Sequence, residues 1–395
     1  MMRRRLAHAC LGLALLASMH AQAQAQGKPT LRASRDRSEA QGPAAREPVE
    51  QPQAPLLAIK FEGLKSLSES DMLKALRDER AMISSASAGD PAQVKRGVDV
   101  IKEALKARGY RQAMVEARLD EAAQPTGSVT FIVREGAQSR ITGIEFKGNT
   151  IFTDEQLLKV MNYTLRKNRA KLPQIDAVYD KDSFEFDLRL VQQAMTGQGY
   201  LKARTGEPQI EETGDTLKII IPVDEGARYR IGEIKVEGAT QFSTAEILDF
   251  LRLKPGDIAA GGEIGGGLFE RLKRAYGDRG YIQYEASPEP TFREAAGGRE
   301  GVVDFTIVID EGRRFRIRTI RFEGNALTHE SVLRDALALR DGEVYNQTKF
   351  EEGLKRIEQL GIAAPIDPMG GVDYRTNEEE GLLDIIIRVR ELEGR

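Results

Sequence analysis

His329 is the only histidine beyond residue 20, and Cys10 is the only cysteine in the chain. Nucleophile–base pairs and zinc sites draw on several such groups held together. His329 has no second histidine and no cysteine beside it, and at the first turn of an exposed helix it reads as a solvated side chain. Gly261, Gly262, Gly265, Gly266 and Gly267 are dense enough for a phosphate-cradling loop. No Gly-Lys-Ser/Thr follows them and no strand feeds them directly, so a loose loop between helices is expected instead. Glu378, Glu379 and Glu380 could hold a cation but read as a solvated hairpin turn, and Arg166, Lys167, Arg169 and Lys171 as a solvated basic loop. No set of nucleophile, base and orienting group exists, so neither an enzyme nor a bound metal or cofactor is expected.

Charge and composition narrow the rest. The chain has 58 Lys and Arg against 61 Asp and Glu, a formal charge of −3. A nucleic-acid binder would show a basic surplus, so none is expected as a partner. Its 395 residues allow two to four domains, and 41% hydrophobic content with 30% charge and no Trp suits several small cores. At the amino end, Arg3 to Arg5 precede an apolar run from Leu11 to Ala17, followed by Ala-Gln-Ala cleavage sites. Residues 1–25 therefore read as an export signal. Its removal takes away three positive charges and the only thiol, so an oxidising compartment is tolerated. Residues 26–55 carry Pro29, Pro43, Pro48, Pro52 and Pro55 with little to bury, and read as a disordered tether. No later apolar run reaches the ~20 residues of a membrane helix.

Beyond the tether the sequence repeats four times. A strand ending in a charged residue and glycine recurs at Ile59–Gly63, Ile144–Gly148, Ile234–Gly238 and Ile320–Gly324, with glycine spacings of 85, 90 and 86. A helix-closing glycine recurs at Gly109, Gly199, Gly280 and Gly361, and an Arg/Asp-Glu-Gly ending at Gly136, Gly226 and Gly312. After each first glycine comes a helix start, with N-caps expected at Ser68, Thr153, Ser243 and Thr328. Apolar pairs flank each cap as hydrophobic staples: Leu67 with Met72, Phe152 with Leu157, Phe242 with Ile247, Leu327 with Val332. A second helix shows one apolar face, as in Val94, Val98, Ile101 and Leu105 or Phe350, Leu354 and Ile357. Alternation at Val303, Phe305, Ile307, Ile309 and at Leu383, Ile385, Ile387, Val389 marks the second strand of a hairpin. Each unit is thus strand, helix, helix, strand, strand. The third repeat's second helix begins in the glycine cluster and is expected to fray there.

Four such units behind an export signal resemble polypeptide-transport-associated (POTRA) repeats, above all the periplasmic arm of the BamA family of outer-membrane assembly proteins. The Ile320–Asn325 segment and the long inter-helix segment Tyr163–Tyr179 carry the likeness, and the repeats look like the last four of a five-repeat arm. The resemblance implies an α+β array of four domains, at 56–136, 137–226, 227–312 and 313–392. Family members continue into a transmembrane β-barrel; this sequence ends at Arg395, and only the arm's binding role is expected to carry over.

The family layout places the third strand centrally and the first hairpin strand at an edge, where an unfolded chain can add as a further strand. On this resemblance the client edges are expected at Leu201, Lys202, Ala203, Arg204 and Thr205 in the second repeat and at Ile282, Gln283, Tyr284 and Glu285 in the third. Glu323, in the repeat nearest the family's barrel, is the expected contact for an accessory lipoprotein. Expected partners are unfolded outer-membrane proteins and assembly subunits, including a barrel protein and accessory lipoproteins, with the outer membrane reached only through them. The rival readings are a detached arm that needs a separate barrel, and a division- or secretion-type anchor that recruits folded partners.

Overall fold

The computed structural model describes residues 55–87, 90–120, 127–165, 175–294, 297–368 and 370–392. The export signal, the tether up to residue 54 and the basic cluster at Arg166–Lys171 lie outside the described residues.

The chain divides into two compact units. Among the described residues, one comprises those up to residue 194 and residues 203–225 and holds the first two repeats; the other comprises residues 195–202 and those from 226 on and holds the last two. In the first repeat β1 (Ala58–Glu62), α1 (Glu69–Asp78), α2 (Pro91–Ala107), β2 (Met114–Asp120) and β3 (Ser128–Arg134) follow in order. The second repeat has β4 (Arg140–Lys147), α3 (Asp154–Val160), a two-residue β5 (Ala177–Val178) and α4 (Lys181–Thr196). It ends in β6 (Arg204–Thr205), β7 (Gln209–Thr213) and β8 (Thr216–Asp224).

The third repeat runs through β9 (Arg228–Glu237), α5 (Thr244–Leu251), α6 (Gly261–Gly266), a π-helical turn (Gly267–Leu272), α7 (Lys273–Asp278), β10 (Glu285–Glu294) and β11 (Glu300–Asp310). The fourth has β12 (Arg316–Glu323), α8 (Glu330–Leu337), α9 (Gln347–Gln359), β13 (Val372–Asn377) and β14 (Leu382–Arg388).

Every sheet uses one topology: the last strand lies in the centre, parallel to the first and antiparallel to its hairpin partner. Parallel pairing of first and last strands requires a crossover, and the two helices supply it. The alternating residues of the central strands face those helices. Val303, Phe305, Ile307 and Ile309 are buried in the third core, and Leu383, Ile385 and Ile387 in the fourth.

The four turn glycines explain themselves sterically. Gly63, Gly148, Gly238 and Gly324 all have φ between 83° and 98°. A Cβ on each would stand 2.1–2.3 Å from a carbonyl oxygen in or just past the central strand, so only glycine lets the first strand end there.

Helix starts follow the turns, with one correction. Ser68 caps α1 through the N–H of Asp71, while Thr153 with Gln156 and Ser243 with Glu246 form complete capping boxes. In the fourth repeat the cap is His329, whose side chain accepts the N–H of Ser331, and not Thr328. Each observed cap lies five residues past the turn glycine, which puts Thr328 at the staple position held by Leu67, Phe152 and Phe242. The fourth staple is accordingly missing: Leu327 is 84% exposed and Val332 44%, and Leu333 is buried instead.

The glycine cluster is helical rather than a loop. Gly267 sits against Leu251, where a Cβ would lie 3.0 Å from that residue's Cα, so it brings two helices close together. Arg271 fixes the crossing by donating to the carbonyl oxygens of Phe250 and Leu251 at the end of α5. Arg356 does the same for Ala336 and Leu337 at the end of α8.

Candidate functional site: the free hairpin edges

Four hairpin edges, one in each repeat, pair on one side only among the described residues. β2 pairs with β3 over seven residues, β13 with β14 over six, and β10 with β11 over ten. The second repeat's edge is broken, with β6 and β7 both on β8 and Gly206 to Pro208 between them. An unpaired side offers a row of N–H and C=O groups spaced for another strand. Beside β2 lies a groove of about 480 Å³ lined by Val94 and Val98 of α2 and by Val115, Ala117 and Leu119 of β2.

The residues expected at client edges are largely elsewhere. Leu201 and Lys202 lie in a turn; Leu201 packs against the third core, and Lys202 pairs with Glu294 at 2.7 Å. Ile282 packs against the fourth core, and Gln283 donates to Glu378 at 2.9 Å. Ala203 and Tyr284 are buried. Only Arg204 and Thr205, in β6, and Glu285, the first residue of β10, belong to strands. The resemblance placed the edges a few residues early, because the turn after each helix-closing glycine serves as a joint.

That joint has a fixed form. The carbonyl of Gly109 accepts the N–H of Ser139, that of Gly199 the N–H of Tyr229, and that of Gly280 the N–H of Phe315, each at 2.8 Å. Side chains reach back alongside: Gln138 donates to the carbonyl of Arg108, and Arg314 to that of Arg279. Gln112 donates to the Gly214 carbonyl and Arg111 pairs with Glu212, both at the β7–β8 hairpin end. Glu378 is held by Gln283 and Glu380 by Asn377, as suits a hairpin turn.

A second recurring device was only partly visible in the sequence. Glu135 accepts the N–H groups of Lys65 and Ser66; Glu225 those of Thr150, Ile151 and Phe152; Glu311 those of Thr240 and Gln241. Glu391, which no glycine follows, does the same for Leu327 and Thr328. Burial alone would raise the carboxyls of Glu225 and Glu311, but these bonds outweigh it and hold both below the ordinary glutamate range. The hydroxyl of Thr328, with the neighbouring N–H groups, likewise lowers Glu391. The exposed N–H groups of each turn are thus filled by the protein's own carboxylate.

Glu323 is exposed at the end of β12, and Leu327 stands exposed in the same turn. His329 is the exposed helix cap already described. No cluster of His, Cys, Asp and Glu able to hold a metal occurs among the described residues, and no described helix is long and apolar enough to cross a membrane.

The family model described as "POTRA: Surface antigen variable number repeat" matches residues 57–136, 139–226, 229–312 and 315–392. The chain belongs to the POTRA family. Its four domains are tandem, non-enzymatic α+β modules homologous to the periplasmic region of BamA. The outer membrane protein assembly factor BamA of Neisseria meningitidis is 26% identical over 307 residues, 77% of this chain and 38% of that protein. A putative outer membrane protein assembly factor of Treponema pallidum is 27% identical over 342 residues, 84% of this chain and 38% of that protein. The chain therefore matches well under half the length of these curated relatives. The crystal structure of Haemophilus influenzae BamA POTRA3-5 superposes with a TM-score of 0.50 at 23% identity, covering 64% of this chain and 96% of that one, and shares the fold.

Proposed function

We propose that the chain is a periplasmic arm in outer-membrane protein assembly, and that it holds unfolded outer-membrane proteins by strand addition at its free hairpin edges. The single observation that carries this is β2: seven residues in unbroken register with β3 alone, with an apolar groove along one flank. An extended client paired there would satisfy its backbone on β2 and lay alternate apolar side chains against Val94, Val98 and Val115. Backbone pairing tolerates sequence, so one edge serves many clients. The β13 edge and, over a shorter run, Arg204–Thr205 offer the same groups.

Export to the periplasm through the amino-terminal signal fits this role. Glu323 and Leu327, exposed together, suit a charged and apolar contact with a folded assembly subunit such as an accessory lipoprotein or the barrel protein. The test is a photo-crosslinking residue placed at Glu116 or Arg118 of β2 in cells making outer-membrane proteins. Adducts with unfolded clients at β2, and none at the opposite edge β1, support the reading; equal labelling at both strands overturns it.

A further inference from the structure

We infer that Pro288 and Pro290 close the free edge of β10 to strand addition, so that the third repeat does not share the client-pairing role of the other edges. The inference rests on the strand-addition reading above. β10 is the longest of the hairpin edge strands among the described residues, paired with β11 in unbroken register from Glu285–Asp310 to Glu294–Gly301. In an antiparallel ladder alternate residues turn their N–H and C=O toward the partner, and the residues between turn theirs outward. Proline has no N–H, and its ring would meet the partner's carbonyl at an inward position, so within a ladder it stands where the N–H would face out.

Pro288 and Pro290 are two apart and thus belong to one set. Ala286, Pro288, Pro290 and Phe292 therefore face outward with their backbone groups, and Ser287, Glu289 and Thr291 bond to β11. The two donors missing from the open side are consecutive and lie at the middle of the strand. An incoming chain would find donors at Ala286 and Phe292 but none between, and its own carbonyls there would stay unpaired. β2 and β13 contain no proline. The proline side chains lie on the core-facing side, Pro288 buried and Pro290 half-buried, beside Ala286 and Phe292 that pack on the third core. They block the edge without disturbing the sheet's inner face.

The test uses the full chain and a synthetic peptide of alternating Val and Thr, flanked by Lys and carrying a central photo-crosslinker, with adducts mapped by mass spectrometry. Wild-type protein is expected to give adducts at β2 or β13 and none at β10. Pro288→Val/Pro290→Val is expected to gain adducts at β10 by on the order of tenfold, the worth of about two backbone hydrogen bonds. Pro290→Thr alone, at the less buried position, restores one outward N–H next to that of Phe292. It is expected to bring labelling to the Glu294 end of the strand, and it serves if the double variant does not fold. Wild-type labelling at β10 equal to that at β2 overturns the inference. Labelling of β2 with no gain at β10 in a folded variant overturns it too, while leaving strand addition standing. No labelling of any edge in either protein overturns both.

Discussion

Glu225 accepts the backbone N–H of Thr150 at 2.9 Å and its hydroxyl at 2.6 Å, across 75 residues of sequence. The last strand of the repeat thereby holds the turn that follows its first strand, and the same arrangement recurs at Glu135, Glu311 and Glu391. Because these bonds favour the ionised form, the folded carboxyl of Glu225 lies below its unfolded value. A group lowered in this way stabilises fully above the ordinary glutamate range and loses its contribution as pH falls through the folded value.

Glu225→Ala should therefore destabilise the second repeat by about 2–4 kcal/mol near neutral pH, since it strips several N–H groups of a charged acceptor. The difference from wild type should shrink as the pH is taken down to about 3, below the ordinary glutamate range, where the unfolded state takes up the proton first. Urea melts of the two proteins at both pH values check this; a difference that does not change with pH counts against the carboxylate's role.

The helix cap of the fourth repeat makes a sharper pair. His329→Asp should stabilise α8 by about 0.5–1 kcal/mol, because Asp is the stronger N-cap and adds negative charge at the helix start. Thr328→Asp, one residue earlier, should give no gain. Thermal melts of the two variants decide between the caps; a gain only at position 328 would restore the cap expected from sequence.

Two glycines of the same cluster should respond oppositely. Gly262 has open space where a Cβ would go, so Gly262→Ala should stabilise the helix by about 0.5–1 kcal/mol. Gly267→Ala should destabilise, since its Cβ would press on the Leu251 backbone. Amide exchange should be fast over Gly261–Gly266 and slow from Leu268 onward; uniform protection across both would refute the division.

Much of the fold was legible in advance because it is written four times. The turn glycines, the apolar faces of α2 and α9 and the alternation of β11 and β14 are local patterns; the strand order came from the family resemblance, and all four sheets carry it. Less visible was whatever depends on distant residues. Gly267 looked like a helix breaker because its reason, contact with Leu251, lies across a helix pair. Glu391 escaped notice because Leu392 stands where its three counterparts have glycine. His329 was passed over for Thr328 because a hydroxyl is the commoner cap, although counting five residues from the turn glycine selects the histidine. The client edges, placed by the family resemblance, were set a few residues early because Lys202 and Gln283 act in the joints.

Those joints give a further prediction. Gly280 has a φ of 91°, and a Cβ there would stand 2.9 Å from the carbonyl oxygen of Phe315. Gly280→Ala should cost about 1–2 kcal/mol from the backbone conformation alone and loosen the bond from Phe315 N–H. Limited proteolysis should then cut faster in the turns at residues 280–284 and 311–315 than in wild type, with both cores still folded; an unchanged cleavage pattern would deny the joint its role.

The account turns on backbone pairing at β2, and N-methylation of a bound peptide probes it most directly. Binding of an unstructured client peptide to the full chain should survive scrambling of its sequence with the alternation kept. It should fall by on the order of tenfold or more when alternate amides on the pairing side are N-methylated. Binding that is indifferent to N-methylation but lost on scrambling would show recognition by side chains, and would contradict strand addition.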